Sequence, residues 1–153
     1  MNRLEHRIPP PFVFIAAGAL MWLLAGMGAP LPFAAAWRLP LGLALIVLGA
    51  AAIGLGFAAF RRAHTTIDPV HIDSASALVI GGIFRHTRNP MYVGFTLGLL
   101  GWAFLLDSAW ALAGPLTFVL FIRRFQIAPE ERAMEARFGA AYLDYKKAVR
   151  RWV

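Results

Sequence analysis

No cysteine occurs among the 153 residues, so disulfides, thiolate metal sites and thiol nucleophiles are excluded by composition. Charge is also scarce. Asp, Glu, Lys and Arg make up 15% of the chain against 59% hydrophobic residues. The mean hydropathy of +0.63 is too high for an ordinary water-soluble domain. No linker or low-complexity stretch divides the chain, and residues 1–153 read as a single domain. Acids are the rarer charge, 8 against 15 Lys and Arg, for a net +7. The basic residues flank apolar runs, so lipid headgroups account for them and nucleic acid is not an expected partner.

What is present is a series of apolar runs. Residues 12–28 and 41–60 carry no charge and approach the roughly 20 residues needed to cross a hydrocarbon core. The first follows a basic N-terminus but has no small-residue cleavage site, so it reads as a retained helix. Between the two, residues 29–40 hold three prolines and one charge, Arg38, as a connecting loop does. The third and fourth runs, 91–106 and 109–122, are separated only by Asp107-Ser108. So short a turn demands an antiparallel helical hairpin. Both runs are short for a full span, so they extend past the core at their basic ends or lie partly against protein. Pro115 is expected to kink the fourth helix, because it removes a backbone donor. The fold class is therefore all-α, an integral membrane bundle of about four helices with a helical, amphipathic tail over 123–153.

Lys and Arg number two before the first span, one in the first loop, four between spans two and three, none in the hairpin turn and eight after span four. The positive-inside rule puts both termini and the central loop in the cytoplasm, as for a multi-pass protein of a bacterial inner membrane. Small residues crowd span two, among them Gly42, Gly49 and Gly56, and recur in span three at Gly94, Gly98 and Gly101. Close helix packing is the main reading. Gly94, within a polar helix start, would also leave room for a cofactor.

Two polar clusters interrupt the apolar pattern. Arg85 to Asn89 precede Pro90, which suits the first turn of a helix because its missing N–H costs nothing there. The amides behind it favour an acceptor-rich group. Arg85 and Arg88 as membrane anchors, with Tyr92 as an interfacial aromatic, is the structural alternative. After span four, Pro129 leads a second helix with Glu130 and Glu131 in its first turn. There they complement the helix dipole, or accept hydrogen bonds from hydroxyls and hold a cationic amine. Because the hairpin folds back, the two clusters return to one side of the membrane.

The tail sets Phe138, Tyr142, Tyr145 and Val149 at helical spacing, with Gly139 as a break. It reads as a packing stripe with no catalytic part, its basic residues meeting headgroups. His64, His71 and His86 lack metal spacing, and no metal is expected.

The stretch LVIGGIFRHTRNPMYVG, then a hydrophobic hairpin, then RRFQIAPEERAMEARFGAAYLDYKKAVRRW resembles the membrane methyltransferases that include isoprenylcysteine carboxyl methyltransferases and bacterial phospholipid methyltransferase relatives. The likeness covers about 65–152. It implies S-adenosylmethionine as cofactor and a lipophilic or lipidated acceptor reached from the bilayer. By position it assigns Ser76, Ala77, Leu78, Val79, Phe84, Asn89, Pro90, Met91, Tyr92 and Glu130 to the cofactor, and Glu131 is the adjacent second acid. Arg88, Tyr92, Gln126 and Glu131 are the candidates for the reaction itself. Asn89 stands where the family has histidine, and Gln126 where the prenylcysteine enzymes have an arginine that meets the substrate carboxylate. A second expectation, of a different class, is a non-catalytic scaffold that keeps the bundle without turnover.

Overall fold

The computed structural model describes residues 8–64 and 77–153. Among them there is no strand, and six α-helices follow in order: α1 (Pro10–Leu24), α2 (Ala35–Arg62), α3 (Pro90–Leu106), α4 (Ala113–Ile122), α5 (Ala128–Phe138) and α6 (Ala140–Ala148). Three helical stretches, Pro10–Met27, Ala35–Arg62 and Ala109–Phe138, are long and apolar enough to cross a membrane, and α3 is a shorter apolar helix. Large side chains such as Phe12, Trp22, Leu23, Val47, Leu55, Leu116 and Leu120 point outward. On a soluble monomer so much exposed apolar surface would drive association; in lipid it is the expected outer face.

The centre of the bundle is α3, and its closest neighbour is α2. Gly42, Gly49 and Gly56 are spaced by seven residues and so share one face of α2, where all three are buried. Opposite them run Gly94 and Gly101 of α3. A Cβ on Gly94 would lie 2.5 Å from the Gly49 carbonyl oxygen, and one on Gly101 2.5 Å from that of Gly42. The two backbones touch. Lipid tails are as apolar as leucine, so close van der Waals contact of this kind is what holds membrane helices together. Gly94 accordingly serves the helix interface, turned to Gly49 and Ile53. The adjoining face of α3 meets α1, where the Trp102 indole donates to the Gly18 carbonyl at 3.2 Å and Phe14 packs on Phe95. Helix α4 closes the core with Phe118 and Ile122, both essentially inaccessible.

Three boundaries differ from the sequence expectation. Helix α2 begins at Ala35, so half of the expected loop is helical and Pro40 lies inside it. At the sixth helical position Pro40 forfeits one backbone bond in an early turn, a tolerable loss there. Pro115 is the third residue of α4, directly after a 3₁₀ turn over Ala109–Leu112, so its missing donor falls at a junction of 3₁₀ and α-helical turns and not within a regular α-helix. A further irregularity lies at Arg123–Ile127, a π-helical segment between α4 and α5. The Pro129 ring needs space at the carbonyl of Phe125, four residues back, and the wider π turn provides it. Residues Ala109–Phe138 thus run as one helical rod, the extension anticipated for the fourth span, while α3 remains short and lies against protein.

Gly139, at φ 51, separates α5 from α6 as the sequence suggested. It folds α6 back so that Tyr142 and Tyr145 pack with Phe84.

Candidate functional site

At one end of α3 is the turn Asp107-Ser108, with a small pocket of about 210 Å³ beside it; at the other lies a cavity of about 710 Å³, within the range of small-molecule sites. Four segments build it. Ile53, Phe57 and Phe60 come from α2, Ala77, Leu78, Val79 and Phe84 from the connection ahead of α3, Arg88 to Tyr92 and Phe95 from the start of α3, and Glu130, Glu131, Met134, Tyr142 and Tyr145 from α5 and α6, with Pro9–Pro11 beside them.

Pro90 fixes the local geometry. It is the first residue of α3, and Asn89 before it, at φ −133 and ψ 56, is outside the helical region, which the residue preceding a proline avoids. One helical turn of α3 then presents Tyr92 to the cavity. Across it, Pro129 starts α5 with Glu130 and Glu131 in the first turn. The Tyr92 hydroxyl donates to Glu130 Oε1 at 2.5 Å. Arg88 Nη2 lies 3.1 Å from Glu131 Oε1, and Arg151 donates to the same carboxylate through Nε to Oε1 at 3.0 Å and Nη2 to Oε2 at 2.6 Å. Glu131 is thus a buried acid held between two guanidinium groups, one of them bidentate. Burying such a charge is tolerable only with this kind of pairing.

The arrangement leaves something over. Arg88 Nε and Nη1 are buried and have no hydrogen-bond partner among the described residues, although Arg88 lines the cavity. A buried donor without a partner costs roughly 1–3 kcal/mol, so the folded chain holds part of a cation in reserve at the cavity wall.

The aromatic side of the site is anchored by α6. The Tyr145 hydroxyl donates to the Phe84 carbonyl at 2.7 Å, and Phe84 meets Phe60 edge to face at 5.4 Å. Burial pushes the Tyr145 phenol up to about 12, and burial followed by the charge of Glu131 pushes Tyr142 up as well. Both stay neutral donors at physiological pH. The bonds to Glu131 hold the Arg151 guanidinium protonated even more firmly than usual.

Of the residues singled out in the sequence, Ala77, Leu78, Val79, Phe84, Arg88, Asn89, Pro90, Met91, Tyr92, Glu130 and Glu131 all line this one cavity. Three do not. Gly94 packs against α2. Gln126 is 1% exposed within the π segment, its Nε2 donating to the Ile8 carbonyl at 2.8 Å, so it ties the N-terminus to the rod and does not reach the cavity. Ser76 lies outside the described residues. Asn89 lines the wall, yet its Nδ2 donates to the Arg151 carbonyl at 2.8 Å.

The sequence reading missed Tyr142, Tyr145 and Arg151. The two tyrosines carried a signal, because a phenol on a buried stripe needs a polar partner. Arg151 carried none, since its partner Glu131 is 20 residues earlier across a helix break. The tail, expected to be packing only, is therefore a wall of the site.

Residues 37–141 match the phospholipid methyltransferase family. The chain belongs to that family. It is 26% identical over 116 residues to protein-S-isoprenylcysteine O-methyltransferase A of Arabidopsis thaliana, covering 74% of this chain and 57% of that protein. It is 36% identical over 75 residues to protein-S-isoprenylcysteine O-methyltransferase of Schizosaccharomyces pombe, covering 47% of this chain and 30% of that one. An uncharacterized protein of Haemophilus influenzae is 44% identical over 63 residues, 41% of this chain and the whole of that one. The chain thus spans little more than half the length of the Arabidopsis enzyme. The family membership and the apolar helices together mark a methyltransferase-family protein of the membrane.

Proposed function

We propose that this chain transfers a methyl group from S-adenosylmethionine to a lipid or lipidated acceptor that carries an anionic group near the reacting atom. The observation that carries the reading is the cavity itself. It gathers Arg88, Tyr92, Glu130 and Glu131 on one side of an otherwise apolar volume, with two Arg88 donors unspent.

The residues fit such a cofactor. Glu130, braced by Tyr92, is an acceptor for ribose hydroxyls. Phe60, Phe84, Tyr142 and Tyr145 offer aromatic faces for a purine. The bound donor supplies a methyl group already activated by its sulfonium, so the chain's work is alignment and exclusion of water. Met91, Phe95 and Ile53 keep the reacting region dry. Arg88, whose Nε and Nη1 are buried without partners, takes the acceptor's anionic group, a contact of the charge-assisted kind. Glu131, engaged by two guanidiniums, serves as a positioning anion. An acceptor that is itself anionic needs no base, and this set of residues suits it better than a protonated amine.

Access follows from the packing. Helices α1 and α2 each pack on α3, but no packed interface joins them to one another. The cavity is lined by the start of α1 on one side and the end of α2 on the other. A lipophilic acceptor reaches it between them from the bilayer, and the polar donor from the aqueous end. By the basic residues at that end, this is the cytoplasmic side, with both termini on it. Isothermal titration of purified chain with S-adenosylmethionine tests the reading. Saturable binding is expected, weakened at least about tenfold in Glu130→Ala, the loss of one or two good hydrogen bonds. Absence of binding by the intact chain would sink it.

A further inference from the structure

Residues 149–153 follow α6 without helical structure, and Arg150 and Arg151 lie against the start of α3. The Arg150 carbonyl accepts the Arg88 amide at 3.0 Å. The Arg151 carbonyl accepts Asn89 Nδ2 at 2.8 Å and the Thr87 hydroxyl at 3.3 Å. The Arg151 side chain reaches to Glu131 with two hydrogen bonds. Main chain and side chain of one residue therefore join α3 to α5 at the cavity wall.

The charges make this more than a tether. Glu131 is one carboxylate facing two guanidiniums. Arg151 uses the carboxylate bidentately, and Arg88 reaches it with Nη2 alone. Were Arg151 absent, Glu131 would be a buried anion with one cation beside it, and the favourable response is for Arg88 to turn and satisfy it with two N–H groups. That turn would move the Arg88 guanidinium from its present place in the cavity wall.

We infer that Arg151 is a positioning residue: by satisfying Glu131 it holds the Arg88 guanidinium in the cavity wall with its Nε and Nη1 groups uncommitted, in the place from which Arg88 meets the acceptor's anionic group. The inference rests on the methyl-transfer reading for what Arg88 binds, but the sharing of Glu131 stands independently of it. The side chain can be altered without touching the clasp, because Thr87 and Asn89 hold the Arg151 carbonyl and not its guanidinium.

Two measurements on the full chain test it. In the first, Arg151→Gln is assayed for methyl transfer and for donor affinity. Acceptor KM is expected to rise about tenfold while the S-adenosylmethionine Kd stays within about twofold, and Arg151→Lys, which keeps the charge but not the fork, recovers part of the loss. Equal losses in donor and acceptor binding, or an unchanged KM, would overturn the inference. In the second, thermal stability is compared for Arg88→Gln, Arg151→Gln and the double variant. Each single variant leaves Glu131 one cation, so the double loss should exceed the sum of the two; additive losses would overturn the sharing. This cycle needs no turnover, so it decides the point even if the chain binds no S-adenosylmethionine, a result that would defeat the functional reading alone.

Discussion

The two ends of α3 each carry an acid paired with arginine, and they use it differently. At the hairpin end Asp107 accepts the Leu31 amide on Oδ1 at 3.0 Å and pairs with Arg38 through Oδ2, while Ala109 donates to the Ala29 carbonyl at 2.9 Å. These bonds knit the 28–34 connection to the hairpin turn. At the open end Glu131 draws on two arginines, one of which keeps two buried donors unused. At the hairpin end the pair joins one connection to another; at the cavity end the uncommitted Arg88 donors belong to a residue of the cavity wall, and the methyl-transfer reading places the site there.

The comparison can be broken most severely through the seam that holds both ends in register. Gly94→Leu would drive a side chain into the Gly49 carbonyl and is expected to cost about 3 kcal/mol or prevent folding, as overpacking of a tight contact does. A thermal melt in detergent reads it. Gly94→Leu with normal stability would mean that the backbone contact is not what fixes α2 against α3.

Next in size is Glu131→Gln, which is expected to lower methyl transfer about a hundredfold, because two guanidiniums lose their common anion and the Arg88 edge its orientation. An assay at saturating donor reads that loss. Asp107→Asn, at the hairpin end, is expected to lower stability by only about 1 kcal/mol for a partly exposed pair and to leave turnover of the folded fraction unchanged. If Asp107→Asn reduced turnover as much as Glu131→Gln, the functional distinction between the two ends would be lost.

Much of this distinction was legible in the sequence. Pro90 and Pro129 mark the two helix starts that carry the site, and the two-residue turn at Asp107-Ser108 requires those starts to meet at one end of the bundle. The seven-residue spacing of glycines in α2 likewise announces the α3 contact. What the sequence hid are effects of tertiary context. Gln126 lies four residues before Glu130, but the π turn that accommodates Pro129 swings it into the core toward Ile8. Arg151 acquires its partner only after Gly139 reverses the chain, so no local pattern announces it. Asn89, in the position of a family histidine, is bonded to the tail, a partner that its immediate neighbours could not disclose.

The smallest expected effect concerns the aromatic wall. Burial lifts the Tyr145 phenol from 10.0 in its ordinary state to about 12. A raised acid favours the neutral form in the folded chain, so its contribution to stability is complete below pH 10 and is lost as pH climbs toward 12. Melting temperatures of wild type should therefore fall more steeply over that window than those of Tyr145→Phe. Parallel curves would remove Tyr145 from the account.

The most direct test of the central claim is transfer of labelled methyl from S-adenosylmethionine into a total membrane extract by the purified chain, with Glu130→Ala beside it. The expected result is label in an anionic lipid or lipidated species with wild type and at least about a tenfold lower rate for the variant at limiting donor. Intact donor with no label in any lipid or peptide fraction would contradict the claim and leave the bundle as a scaffold without turnover.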